Sequence, residues 1–83
     1  MMIYRIKLKK KAEKFLDSRT QKERTQLLSA INKLPKGTDI HKMEGYSNRY
    51  RLRVGNVRVI YDVFDDELIV LVLNAGNRGD VYK

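Results

Sequence analysis

The chain has 83 residues, 42% of them hydrophobic, and carries 18 Lys and Arg against 10 Asp and Glu, a formal net charge of +8. This is enough apolar material for one modest core, read as a single domain over residues 1–83, and the charge asks for a polyanionic partner such as nucleic acid, an anionic membrane or an acidic protein. With no cysteine, disulfides and thiolate metal sites are excluded; no apolar run is long enough to span a bilayer, no signal peptide is visible, and the expected location is the cytoplasm.

Along the chain, Met2–Leu8 alternates Met2, Tyr4, Ile6 and Leu8 against Ile3, Arg5 and Lys7, the period of a strand. Leu8, Ala12, Phe15 and Leu16 then recur at helical spacing, which predicts a short helix from Lys9 to Asp17 that opens on the run Lys9-Lys10-Lys11. Thr20-Gln21-Lys22-Glu23 has the form of a capping box, with Thr20 covering the Glu23 amide and Glu23 reaching back. A second helix therefore begins there, carries the apolar stripe Leu27, Leu28, Ala30, Ile31 and Leu34, and stops near Pro35 and Gly37. Residues 38–47 are irregular, with Ile40 and Met43 expected under the sheet edge and Gly45 at a bend. His41 lies in this stretch without an assigned role; as the lone histidine it cannot build a histidine metal cluster, and neither metal nor cofactor is expected.

Residues 49–61, R-Y-R-L-R-V-G-N-V-R-V-I-Y, organise the rest. Alternation with period two on either side of Gly55-Asn56 predicts a β-hairpin with a two-residue turn, which sets Val54 opposite Val57, Arg53 opposite Arg58, Leu52 opposite Val59 and Tyr50 opposite Tyr61. One face is then apolar (Tyr50, Leu52, Val54, Val57, Val59, Tyr61). The other carries Arg49, Arg51, Arg53 and Arg58, with Ile60 and one acid, Asp62. Arg53 directly across from Arg58 is a like-charge conflict worth roughly 0.2–1 kcal/mol; the alternative is a solvated outer face, but with no lysine and a single acid on it this face reads as a guanidinium cradle for phosphates. A turn at Asp65-Asp66 and a nearly unbroken apolar strand from Glu67 to Asn74, in a central or doubly covered position, complete an antiparallel meander. That meander returns the tail, with Arg78 and Tyr82, to the side of Arg53 and Arg58.

The fold class is thus α+β in the order β-α-α-β-β-β: a strand, an antiparallel helical hairpin and a small twisted, mainly antiparallel sheet. This order, with Y-R-L-R, G-N-V-R-V-I-Y, D-D-E-L and the terminal N-R-G-D-V-Y-K, resembles the RelE/ParE superfamily of type II toxin-antitoxin toxins over nearly the whole chain. For the RelE branch the resemblance implies an endonuclease that cuts mRNA in the ribosomal A site without a metal; for the ParE branch, an inhibitor of DNA gyrase that acts by binding. In both it implies an antitoxin that wraps the toxin, and the basic charge here calls for an acidic one. A plain RNA- or DNA-binding module is the remaining alternative. The sequence departs from the best-known nuclease in carrying arginines at Arg51 and Arg53 where that protein has lysines, and Asn77 before the tail arginine where a histidine or basic residue is common.

Cutting RNA through its own 2′-OH requires a base for that hydroxyl, stabilisation of charge on the phosphorane and a proton for the leaving 5′ oxygen. Matched to the family's pattern, the catalytic candidates are Arg53, Arg58 and Arg78 for charge and Tyr82 as proton carrier, the alternative for Tyr82 being an aromatic anchor that holds the tail on the sheet; Arg49, Arg51, Lys9, Lys10 and Lys11 are assigned to RNA phosphates. A guanidinium stays charged to a pKa above about 12, so the arginines move no protons. That duty falls to Tyr82, His41, a carboxylate or ribosomal groups, and cutting of free RNA is expected to be slow or absent.

Overall fold

The computed structural model describes residues 3–77. Among them the chain forms β1 (Arg5–Leu8), α1 (Lys10–Asp17), α2 (Gln21–Ile31), β2 (Ile40–Lys42), β3 (Arg49–Val54), β4 (Val57–Phe64) and β5 (Ile69–Asn77). The strands make one sheet in the order β1-β5-β4-β3-β2, with β1 parallel to β5 and every other pair antiparallel. This is the expected α+β architecture with one strand more than expected. The addition is β2, three residues from the stretch read as irregular, paired with β3 at the sheet edge.

The hairpin register holds residue for residue: Val54 pairs with Val57, Arg53 with Arg58, Leu52 with Val59 and Tyr50 with Tyr61. Gly55 takes φ +59°. A positive φ confined to the first loop residue suits a type II′ turn, whose twist matches the flanking strands and which costs glycine nothing sterically. One face of the sheet joins the helices in the core, where Leu52, Val57, Val59, Tyr61, Val63, Val70, Val72 and Ala75 meet Ala12, Leu16, Leu27, Ile31 and Leu34. Tyr61 is 1% exposed and stacked on Tyr50 at 5.8 Å between ring centroids. Burial, with the Tyr50 phenol beside it, pushes the Tyr61 phenol up to about 12, which rules it out as a proton carrier near neutrality.

Element ends moved in particular ways. β1 begins at Arg5, and Met2 lies outside the described residues. β5 begins at Ile69 because residues 65–68 form the turn, and it runs on to Asn77, which pairs with Val57. Between the pairs Ile60–Asn74 and Tyr61–Val72, Leu73 is an extra residue, a β-bulge that reverses the phase of β5. Val72 and Ala75 therefore both reach the core, while Asn74 and Gly76 join the opposite face. No helix among the described residues is long and apolar enough to cross a membrane.

Lys9 is the N-cap of α1 and makes no side-chain cap bond, whereas Thr20 accepts from the Glu23 amide at 3.2 Å as the capping box requires. The Glu23 carboxylate lies toward Arg19, 3.8 Å from Nη1. Arg24 ties the two helices together: Nε donates to the Leu16 carbonyl at 3.1 Å, and Nη2 to those of Asp17 and Arg19 at 3.3 and 3.1 Å. Carbonyls at the end of a helix lack intrahelical donors, and one guanidinium reaches two of these, those of Leu16 and Asp17, together with the linker carbonyl of Arg19. Arg24→Ala is expected to lower stability by about 1–3 kcal/mol, read as a fall in the urea midpoint, with Arg24→Lys recovering only part of it. An unchanged midpoint in the alanine variant would show that these bonds contribute nothing net.

Candidate nucleic-acid interface

The strand register determines which side chains share the sheet face turned away from the helices. Across β3 and β4 it sets Arg49 beside Asp62, Arg51 beside Ile60 and Arg53 beside Arg58. On the outer side of β3, β2 adds His41 opposite Arg51, and the Arg53 amide donates to the Asp39 carbonyl at 3.0 Å. On the inner side, β5 adds Asn74 beside Ile60 and Gly76 beside Arg58. Ile60 is 7% exposed although it lies outside the main core cluster, so it forms an apolar floor between polar neighbours.

Two of these arginines are held by acids of the chain itself. Arg49 grips Asp62 with two bonds, Nε to Oδ1 at 2.8 Å and Nη2 to Oδ2 at 3.1 Å, while its Cζ sits 4.4 Å from the ring centroid of Tyr46. The carboxylate, 7% exposed, and the ring together lock the guanidinium in place and hold its pKa above the ordinary arginine value, the Asp62 bonds being the main cause. Arg53 Nε donates to Asp39 Oδ2 at 2.8 Å, and the other oxygen of the same carboxylate, Oδ1, lies 3.1 Å from His41 Nε2. The expectation of a face with a single acid is corrected here. Asp39 is a second, delivered by the unforeseen strand β2, and it answers the charge conflict at Arg53.

Arg58 is different. It is half-buried, and among the described residues no acid pairs with it. Gly76 beside it presents no side chain, and Arg53 lies across from it with its charge shared by Asp39. Arg51 is half-buried in the middle of the same face. Lys9, Lys10 and Lys11 are exposed but stand apart from this cluster. They follow β1, which is separated from β3 by β5 and β4, a lateral distance of about 14 Å at ordinary strand spacing. Arg78 and Tyr82 lie outside the described residues; β5 ends one residue before Arg78, beside Val57 at the hairpin end of the sheet. A second basic feature sits on the helical side, an open groove of about 720 Å³ between α2 and β3 lined by Lys22, Lys33, Lys36, Leu52, Arg53 and Val54.

Residue types and placement suit polyanion binding: guanidinium groups in fixed positions match phosphate oxygens two at a time. Sequence reasoning missed Asp39 and the contact it makes with His41, since both follow from the pairing of β2.

A family model described as ParE toxin of type II toxin-antitoxin system, parDE, matches residues 5–82. No curated protein matches the sequence. Among solved structures, the chain is similar to one in the archaeal RelE–RelB complex from Pyrococcus horikoshii OT3, with TM-score 0.78 and 30% identity over 96% of this chain and 100% of that one. The RelB–RelE antitoxin–toxin complex from Methanococcus jannaschii contains a chain similar at TM-score 0.72 and 28% identity, over 92% of this chain and 94% of that one. The isolated E. coli RelE toxin shares the fold at TM-score 0.69 and 22% identity, with 95% and 90% covered.

The ion pair at Asp39 carries a pH signature. The bond from Arg53, chiefly, and then the His41 contact hold the Asp39 carboxyl below the ordinary aspartate range. A depressed folded value means that its contribution to stability is present above the unfolded pKa of about 3.9 and is lost as pH falls through the lower folded value. NMR titration of the Asp39 carboxyl is expected to give a midpoint below about 3.9 that moves back up in Arg53→Gln. A midpoint at the ordinary value in the wild type would mean that the pair does not persist in solution.

Proposed function

This chain belongs to the RelE/ParE superfamily of type II toxin-antitoxin toxins, and on that premise we propose that it is a ribosome-dependent endonuclease that cuts mRNA by 2′-OH attack, inhibiting translation and growth. The observation that carries the proposal is the basic open face on which Arg53 and Arg58 lie side by side, Arg58 without an acid partner among the described residues. The likeness to the Pyrococcus chain over its full length supports the RelE reading over other members of the superfamily.

In this reading the RNA strand crosses the open face of β3 and β4. Arg58, Arg53 and Arg78 stabilise charge on the phosphorane, because their N–H donors are already in place when that charge develops. Arg49 and Arg51 hold neighbouring phosphates, and the Lys9-Lys10-Lys11 run reaches more distant ones. Tyr82 carries a proton. Since an arginine neither takes nor gives a proton near neutrality, most of the rate must come from positioning, which the ribosome supplies by fixing the message in its A site. The partner that silences the protein is an acidic antitoxin segment that folds on contact, for which both the open face and the lysine-lined groove beside α2 are complementary in charge. The site of action is the cytoplasm, where translating ribosomes are.

A second reading is kept because the matching family model is that of ParE toxins. Here the ion-paired arginines form a rigid basic surface for DNA gyrase, and no bond is cut. Brief expression in a bacterial host followed by mapping of mRNA ends separates the two: the nuclease reading predicts codon-phased cuts in translated messages, and intact messages with DNA breaks contradict it. On programmed ribosomes, Arg58→Ala is expected to slow cutting by about 10²-fold or more with an unchanged urea midpoint, and Arg78→Ala and Tyr82→Phe to be comparably impaired. Full activity in all three variants would place the site elsewhere.

A further inference from the structure

We propose that His41 is the general base of the cleavage reaction, held in its working tautomer by Asp39; this rests on the nuclease reading above. Three observations place it there. First, β2 pairs with β3 so that His41 lies opposite Arg51, on the same face as Arg53 and Arg58 and in the row next to the pair proposed to hold the scissile phosphate. Second, its side chain is 61% exposed on the edge strand, so nothing among the described residues blocks a substrate from reaching the ring. Third, Nε2 is 3.1 Å from Asp39 Oδ1.

The third observation determines what the ring can do. Asp39 is an ionised carboxylate pinned by Arg53 Nε at 2.8 Å, and an ionised carboxylate only accepts. In the neutral ring the proton must therefore be on Nε2, which leaves the Nδ1 lone pair free. An imidazole with one nitrogen on a carboxylate and the other open is the arrangement in which histidine takes a proton while the carboxylate steadies the cation that forms. The charged groups that face it from the neighbouring strand are Arg51 and Arg53, and from its own segment Asp39. Asp39 is thus a positioning residue shared between a base and a phosphate-binding arginine, so the two move as one unit.

His41 Nδ1 takes the proton of the ribose 2′-OH as O2′ bonds to phosphorus and the bond from phosphorus to O5′ breaks. Tyr82 gives its phenolic proton to the leaving O5′, and the phenolate is reprotonated from the His41 imidazolium through water. The products are a 2′,3′-cyclic phosphate and a 5′-hydroxyl.

The test uses the full chain on programmed ribosomes in single-turnover conditions. For the wild type, log rate is expected to rise with pH and level off at the pKa that NMR titration gives for the His41 ring itself. His41→Ala is expected to lose about 10²-fold or more, to lose that inflection, and to recover part of its rate with added imidazole. His41→Gln removes the base but keeps an amide to bond Asp39, so it stays folded and equally slow. Asp39→Asn is expected to slow cutting, and any inflection that remains is expected to coincide with the His41 titration measured in the same variant. Cutting that persists in His41→Gln with an unchanged pH profile overturns the assignment of His41 alone, and so does an alanine variant that imidazole does not rescue. A wild-type protein that leaves the message whole overturns the nuclease reading and this inference with it.

Discussion

The two-residue turn at Gly55-Asn56 is the constraint on which the rest of the molecule depends. It fixes the pairing of β3 with β4, and because side chains alternate strictly along a strand, a slip of one residue would exchange every position between core and open face. In the observed register Tyr50, Leu52, Val59 and Tyr61 lie under the helices while Arg49, Arg51, Arg53 and Arg58 stay together outside. Burial on one side is what enforces the concentration of charge on the other. A chain with so small a core has little else to hold a cationic face in place.

That face is not simply a collection of repelling charges. Arg49 is locked between Asp62 and Tyr46, and Arg53 shares Asp39 with His41, so the geometry of both guanidinium groups is set before any ligand arrives. Fixed donors of this kind bind phosphate with less ordering cost than free ones. Arg58 has no such acid among the described residues and lies beside Gly76, which makes it the natural point of contact for an anion. The bulge at Leu73 contributes as well: by reversing the phase of β5 it carries Asn74 and Gly76 onto this face and returns Ala75 to the core.

Much of this was legible in the sequence. The hairpin could be read because both strands alternate over several residues and a Gly-Asn pair marks the turn. Helix α2 could be read because Thr20 and Glu23 stand at capping distance before an apolar stripe. What could not be read depended on tertiary pairing. Three residues of β2 are too few to show a period, and they form a strand only because β3 offers an open edge; Asp39 and the bond to His41 therefore came as a consequence of the fold. A bulge leaves no signal in an unbroken apolar run such as that of β5, and the capping of α1 by Arg24 joins residues from different helices. Family likeness contributed the roles proposed for Arg78 and Tyr82, which lie outside the described residues.

The claim that the open sheet face holds RNA is tested most directly by following backbone amide shifts of the isotope-labelled protein while adding a short RNA made uncleavable by 2′-deoxy substitution. Shifts confined to His41, Arg51, Arg53, Arg58 and their neighbours, weakened steeply by salt, are the predicted result. Shifts centred instead on Lys22, Lys33 and Lys36 in the groove beside α2, with the open face silent, would contradict it.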